Sequence, residues 1–250
     1  MNATIVAAIQ FEPKILDVHE NLGASVQLAH EAAAKGAAVI VLPELCTSGY
    51  LLNNPVEAMQ CAQTRDGYQT KSFASIAKNH NCHIIFGYVE LRDGLLYNSA
   101  AIVGPRGLEG NVQKHNLWGS DYLWASPSEC VDPIVISRAG RLGALICRDV
   151  MNNYRNTYKF FNSKNRFYKH GSIDTLALLT NWSGEHSYPD NLWVELSEQT
   201  GANVVVSNRL GHERGLTYNG GSCVIDRNRK VWTNGSSFND ECIVGGLAII

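Results

Sequence analysis

The sequence lacks a paired cysteine motif, a long apolar run and an excess of charge of either sign. Its seven cysteines are an odd number with no CxxC pair and no regular spacing. An oxidised framework is therefore not expected, and reduced thiols, at least one of them free for chemistry, fit better. No apolar run approaches the ~18–20 residues of a membrane-spanning helix. Lys and Arg number 21 against 23 Asp and Glu, a formal net charge of −2. That balance argues against nucleic acid as a partner, because phosphate contacts need a local excess of cations. The opening stretch MNATIVAAIQFEP has no basic segment and reaches Glu12 early, so a secretory leader is not expected and a cytoplasmic location is. Internal repeats, low-complexity linkers and breaks in composition are also missing. One domain over residues 1–250 is the expectation, and a chain of that length buries enough apolar surface to fold without disulfide or metal.

What is present is an alternation of strand and helix patterns. Apolar, β-branched runs at residues 4–11, 37–42 and 83–89 read as buried strands. Between the first two, Leu22, Val26, Ala29 and Ala33 recur at helical spacing, and Gly36 is a plausible stop. A second helix is expected over 69–80, with Phe73, Ile76 and Ala77 on one face. Residues 95–103, 110–114, 134–137 and 141–146 read as short strands divided by Gly-Pro-Arg-Gly and Arg-Ala-Gly turns, as in antiparallel hairpins. A polar, aromatic segment at 152–170 precedes a strand at 173–179, a helix at 190–200, and strands at 203–207, 221–226, 230–233 and 242–249. Two mixed sheets back to back, each with helices outside, would bury all of these runs. That four-layer α-β-β-α sandwich is one of several α/β arrangements the pattern allows.

Active sites of α/β proteins form at the carboxyl ends of strands, and three strand ends here carry unusual groups. The strand at 37–42 runs into Pro43 and Glu44, the strand around Val112 into Lys114-His115, and the strand at 141–146 into Cys147-Arg148-Asp149. A carboxylate, an ammonium and a thiol form a coherent set. The thiol attacks only as thiolate, so a base must take its proton and a cation must hold the charge that develops on the attacked carbonyl. Alone, each has a bland reading: a buried packing cysteine, a loop acid, an exposed strand-end lysine. Cys82 and His83, with His80 nearby, hint at a metal cluster, but neighbours on a strand point to opposite faces, and no metal is expected.

Pro43-Glu44-Leu45 with Gly49-Tyr50, then Lys114-His115, then Gly143 through Asp149, then Asn181-Trp182 together resemble the nitrilase (carbon–nitrogen hydrolase) superfamily, in its amidase-like branch. Asn208-Arg209 and Gly220 through Asp226 continue the likeness, which covers essentially the whole chain. The resemblance implies a nitrilase-like α-β-β-α sandwich with Glu44 as general base, Lys114 holding the oxyanion and Cys147 as nucleophile. It also implies an acyl-thioester, no cofactor and a homodimer packed through outer helices. The substrate would be a small amide, touched by Asp121, Tyr50, Arg148, Asn181 and Trp182. Arg148 could receive a substrate carboxylate in its planar fork; as alternatives, Arg148 and Asp149 form an internal ion pair or a wall.

The chain departs from the family pattern in several places. The family's second Glu aligns best with Asp121, with Glu129 as the other candidate. Arg148-Asp149 stands where nitrilases more often show Trp-Glu, which favours an amide over a nitrile. Asn181 lies 34 residues after Cys147, a long interval, so 152–170 is expected to reshape the pocket rim. The chain stops directly after its last strand, so nothing beyond a dimer is expected. An N-acyltransferase or a carbamoyl-type hydrolase on the same three residues remains an alternative, as does a catalytically impaired binding or regulatory homologue.

Overall fold

The computed structural model describes residues 4–128, 133–150, 173–183, 191–234 and 241–247. β1 (Thr4–Gln10) leads through α1 (Val18–Ala34) to β2 (Val39–Val41), which lies parallel to β1; α2 (Pro55–Cys61) and α3 (Tyr68–His80) precede β3 (His83–Arg92), parallel to β2. β3, β4 (Leu95–Gly104) and β5 (Gly107–Gln113) then form an antiparallel meander. β6 (Val135–Ser137) and β7 (Gly140–Ile146) make a hairpin that starts a second sheet. β8 (Thr175–Thr180), α4 (Asn191–Thr200) and β9 (Asn203–Asn208) follow, with β7, β8 and β9 mutually parallel. A separate hairpin, β10 (Leu210–Glu213) and β11 (Leu216–Asn219), precedes β12 (Cys223–Ile225) and β13 (Val231–Asn234), and β14 (Glu241–Leu247) returns antiparallel to β1. The sheets run β14-β1-β2-β3-β4-β5 and β13-β12-β9-β8-β7-β6.

The strands are apolar on both faces because both faces are covered. Val6, Ala8, Val39, Val41, Ile85 and Ile102 of the first sheet pack against Leu142, Ala144, Ile146, Ala177, Leu179 and Val205 of the second. The alternate residues of the first sheet, Ala7, Ile9, Ile40, Ile84 and Phe86, lie beneath Ala29 and Ala33 of α1 and Phe73, Ile76 and Ala77 of α3. Leu145, Leu176, Leu178, Val204 and Val206 meet Trp193 and Leu196 of α4 on the far side. The result is the expected α-β-β-α sandwich of two mixed sheets. Among the described residues, no helix is long and apolar enough to cross a membrane.

Local signals explain most element ends. The Asp17 side chain accepts from the Glu20 N–H to start α1, and Gly36 at φ +88° follows its end. Asn54 caps α2 and Pro55 opens its first turn. The buried stripe of α1 is rotated from the expected one: Asn21, Ser25, Ala29, Ala32 and Ala33 are buried, with Leu22 and Val26 at the margin. The rotation follows from Asn21, whose amide accepts from the Lys14 N–H (2.7 Å) and donates to the carbonyls of Lys14 and Thr47. α2, the β10–β11 hairpin and two short 3₁₀ turns, Gly119–Leu123 and Cys147–Val150, were not anticipated. Glu129, Cys130, the 152–170 segment and the end of the last strand lie outside the described residues.

Candidate active site

β2, β3 and β5 run in the same direction, so Glu44 and Lys114 emerge at one end of the first sheet. β7 and β8 are parallel, so Cys147 and Asn181 emerge at one end of the second. A hydrogen bond from the Asn181 N–H to Glu44 Oε2 (3.0 Å) brings these two ends together, and Asn181 Nδ2 donates to the Glu44 carbonyl (2.9 Å). The catalytic set expected from sequence thus converges where the two sheets meet.

Glu44 sits on a tight elbow after β2. Gly87 of β3 lies directly beneath it: a Cβ there would fall 2.3 Å from the Leu45 nitrogen and 2.7 Å from Glu44 Cα. The Gly87 N–H donates to the Pro43 carbonyl, and Leu45 takes a left-handed φ of +47°. The Glu44 carboxylate accepts three hydrogen bonds. Its Oε1 accepts from Lys114 Nζ (2.6 Å) and Asn98 Nδ2 (2.8 Å), opposite the Asn181 bond to Oε2. Lys114 is completely buried and also donates to Asp121 Oδ2 at 2.6 Å. Asp121, equally buried on the first 3₁₀ turn, accepts as well from the Trp118 N–H (3.0 Å) and from Asn98 Nδ2 (3.1 Å).

Two carboxylates therefore share one ammonium away from water. Burial raises the pKa of Glu44 and the charge of Asp121 raises it further, against the pull of Lys114. Burial alone would lower Lys114, but Asp121 and Glu44 overcome it and hold the ammonium well above its ordinary value. The two carboxylates thus favour the charged form of Lys114, while Glu44 is held above its ordinary value.

Cys147 opens the second 3₁₀ turn at φ +44°, directly at the end of β7, and is 5% exposed. Left-handed backbone at a non-glycine residue is costly and persists only where the surroundings enforce it. Burial, followed by the charge of Glu44, pushes the thiol pKa up, while Lys114 and a backbone bond from Asn181 pull it down. The net effect holds the thiol well above its ordinary value.

A cavity of about 220 Å³ opens at this sulfur, lined among the described residues by Trp118, Cys147, Arg148, Asn181, Trp182 and Ser183. The Arg148 guanidinium lies 3.9 Å from the centre of a Trp118 ring, a cation–π stack. Trp182 meets Trp193 edge-on at 5.2 Å. Arg148, Asn181 and Trp182 thus share the cavity with Cys147. Tyr50 and Asp121 do not line it. Tyr50 is buried behind Lys114, its ring 5.7 Å from Nζ and its hydroxyl donating to the Trp118 carbonyl at 2.8 Å. Asp121 is committed to Lys114 and Asn98, one layer beneath the opening.

One polar group at the site, Asn98, went unassigned from sequence, and a second, Asp149, was read there only with Arg148 as an ion pair or a wall. Asn98 donates to both Glu44 and Asp121; its only signal was a polar residue inside the apolar run of β4. Asp149 turns toward backbone N–H groups, accepting from His115 and Asn116.

A family model described as carbon–nitrogen hydrolase matches residues 5–167. A nitrilase of Pyrococcus abyssi is 28% identical over 237 residues, spanning 94% of this chain and 86% of that protein. A glutamine-dependent NAD(+) synthetase of Acinetobacter baylyi is 27% identical over 96% of this chain, which corresponds to 43% of the synthetase. Among solved structures, the amidase from Nesterenkonia sp. AN1, in a form showing covalent addition of the acetamide moiety of fluoroacetamide at its active-site cysteine, superimposes with a TM-score of 0.81. The match is at 18% identity and covers 98% of this chain and 90% of that one, a likeness of fold.

Proposed function

Because the chain belongs to the carbon–nitrogen hydrolase family, we propose that it is a cysteine-dependent amidase that releases ammonia or an amine from a small linear amide. The observation that carries this reading is the Glu44 carboxylate, bonded on one side to the Lys114 ammonium and on the other to the backbone that faces Cys147.

In the first half-reaction Glu44 takes the thiol proton, and the sulfur of Cys147 attacks the amide carbon. The carbonyl π pair moves onto oxygen, where the Lys114 ammonium and the N–H following Cys147 hold the negative charge. Glu44 delivers its proton to the nitrogen, the C–N bond breaks, and the acyl group remains on sulfur as a thioester. Water then gives a proton to Glu44 and attacks the thioester carbon; the acid leaves and the thiol is restored. A carboxylate whose pKa is raised by burial suits this double duty near neutral pH.

The cavity supports a small substrate, because ~300–1,000 Å³ is the usual size for a drug-sized ligand and this opening is about 220 Å³. Asp121, bonded to Lys114, supports a working site rather than an impaired one, since it keeps the ammonium charged and in place. The Nesterenkonia amidase, of similar fold, carries a covalent acetamide adduct on its active-site cysteine, an alkylation that supports a nucleophilic thiol in this reading. A panel of small amides and carbamoyl compounds, scored for ammonia or amine release, tests the proposal. Release that disappears in Cys147→Ala supports it, and no release from any member of the panel sinks it. Adding an amine acceptor distinguishes hydrolysis from N-acyl transfer by the product formed.

A further inference from the structure

The geometry points to Asp149 as the positioning residue that fixes the distance between the Lys114 ammonium and the Cys147 sulfur. This inference rests on the amidase reading above. Asp149 is fully buried on the same 3₁₀ turn as Cys147. Its Oδ1 accepts from the N–H groups of His115 (3.0 Å) and Asn116 (2.8 Å), the two residues that follow Lys114. Its Oδ2 faces the N–H of Ile146, the residue before Cys147, at 3.4 Å. One carboxylate thereby ties the loop leaving β5 in the first sheet to the turn leaving β7 in the second. Asn116 adds a weaker strut, its Nδ2 donating to the Arg148 carbonyl at 3.5 Å.

Both tethers run to backbone immediately beside a reacting group. Buried N–H groups need acceptors, and a carboxylate is a strong one, so the two loops are drawn onto a single point. That point also braces the left-handed Cys147, whose conformation depends on support from its surroundings. Without the carboxylate, the loop and the turn would each be held to its own sheet, and the sulfur and the ammonium would lose their common reference. A misplacement of about 1 Å costs on the order of a hundredfold in rate, and the Asp149 bonds described above run to backbone beside the reacting groups.

The experiment compares wild type, Asp149→Asn and Asp149→Ala for thermal unfolding, for kcat and KM on the best amide, and for the rate at which iodoacetamide alkylates Cys147. Asp149→Ala is expected to lower kcat and alkylation together by about tenfold or more with KM nearly unchanged. Asp149→Asn should recover part of the loss, because its Oδ1 still accepts from His115 and Asn116. A folded Asp149→Ala with wild-type kcat and alkylation overturns the inference, as does an effect on KM alone. If Asp149→Ala does not fold, a wild-type rate in Asp149→Asn overturns it and an intermediate rate supports it. Wild-type Cys147 that alkylates no faster than the other cysteines overturns the amidase reading itself, and this inference with it.

Discussion

Lys114 holds two carboxylates that differ in what they leave available. Glu44 keeps contact with the backbone facing the nucleophile, whereas Asp121 is closed off by Lys114, Asn98 and Trp118. The charge of Asp121 raises the pKa of Glu44. Replacing Asp121 by Asn removes that charge, so the acid limb of the kcat/KM profile, which reports the base of the free enzyme, should move to lower pH. A limb that stays in place or moves up would contradict the assignment of Glu44. Asp149 gives a second test at this scale. Burial pushes its carboxyl up to about 7, against the N–H groups of Asn116 and Ile146 and the charge of Lys114. In the unfolded chain the same group titrates near ~3.9. The folded state therefore binds the proton more tightly, and this contribution to stability is fully present below about pH 4 and is lost as the pH rises through about 7. Urea unfolding should show the stability of wild type relative to Asp149→Asn declining from pH 5 to pH 8; a rising difference would count against the buried acid.

Elements rather than single side chains decide where Glu44 stands. β3 passes so close under the elbow after β2 that only a residue without Cβ fits at position 87. Gly87→Ala should displace Glu44, costing ~1–3 kcal/mol of stability and a larger share of activity than that loss explains. Chemical denaturation alongside kcat at a temperature where the variant is folded would reveal it, and full activity would refute the close approach as a determinant. The strands and long helices were legible because continuous β-branched apolar runs and an apolar period of 3.6 residues are written directly into them. The β10–β11 hairpin was not, since its Arg209 and Glu213 look like surface charges. In the fold they form a buried pair in which Glu213 Oε1 accepts from the N–H groups of Tyr50 and Leu51. The same limit applies to Tyr50 and Asp121, which the sequence brings to the site without showing on which side of Lys114 they lie. Asn98 depends on β4 register, which no local pattern records.

At the scale of the whole molecule, the residues of the proposed reaction lie where the two sheets meet. Most of that interface is apolar, so the polar ties across it are informative. Ser207 Oγ donates to the Ile9 carbonyl, and Asn181 and Asp149 link the ends that carry Glu44, Lys114 and Cys147. Sequence singled out the three groups because each stands at the end of a strand; their meeting is a property of two sheets packed face to face, with parallel strands delivering their carboxyl ends to one side. The central claim is that Cys147 carries the acyl group during turnover. Rapid acid quenching of the enzyme during hydrolysis of a slow amide, followed by mass spectrometry of its peptides, tests this most directly. The account predicts one added acyl mass, on the peptide containing Cys147, formed far more slowly in Glu44→Gln. Amide hydrolysis that continues in Cys147→Ala, or an acyl group found on another residue, would contradict it.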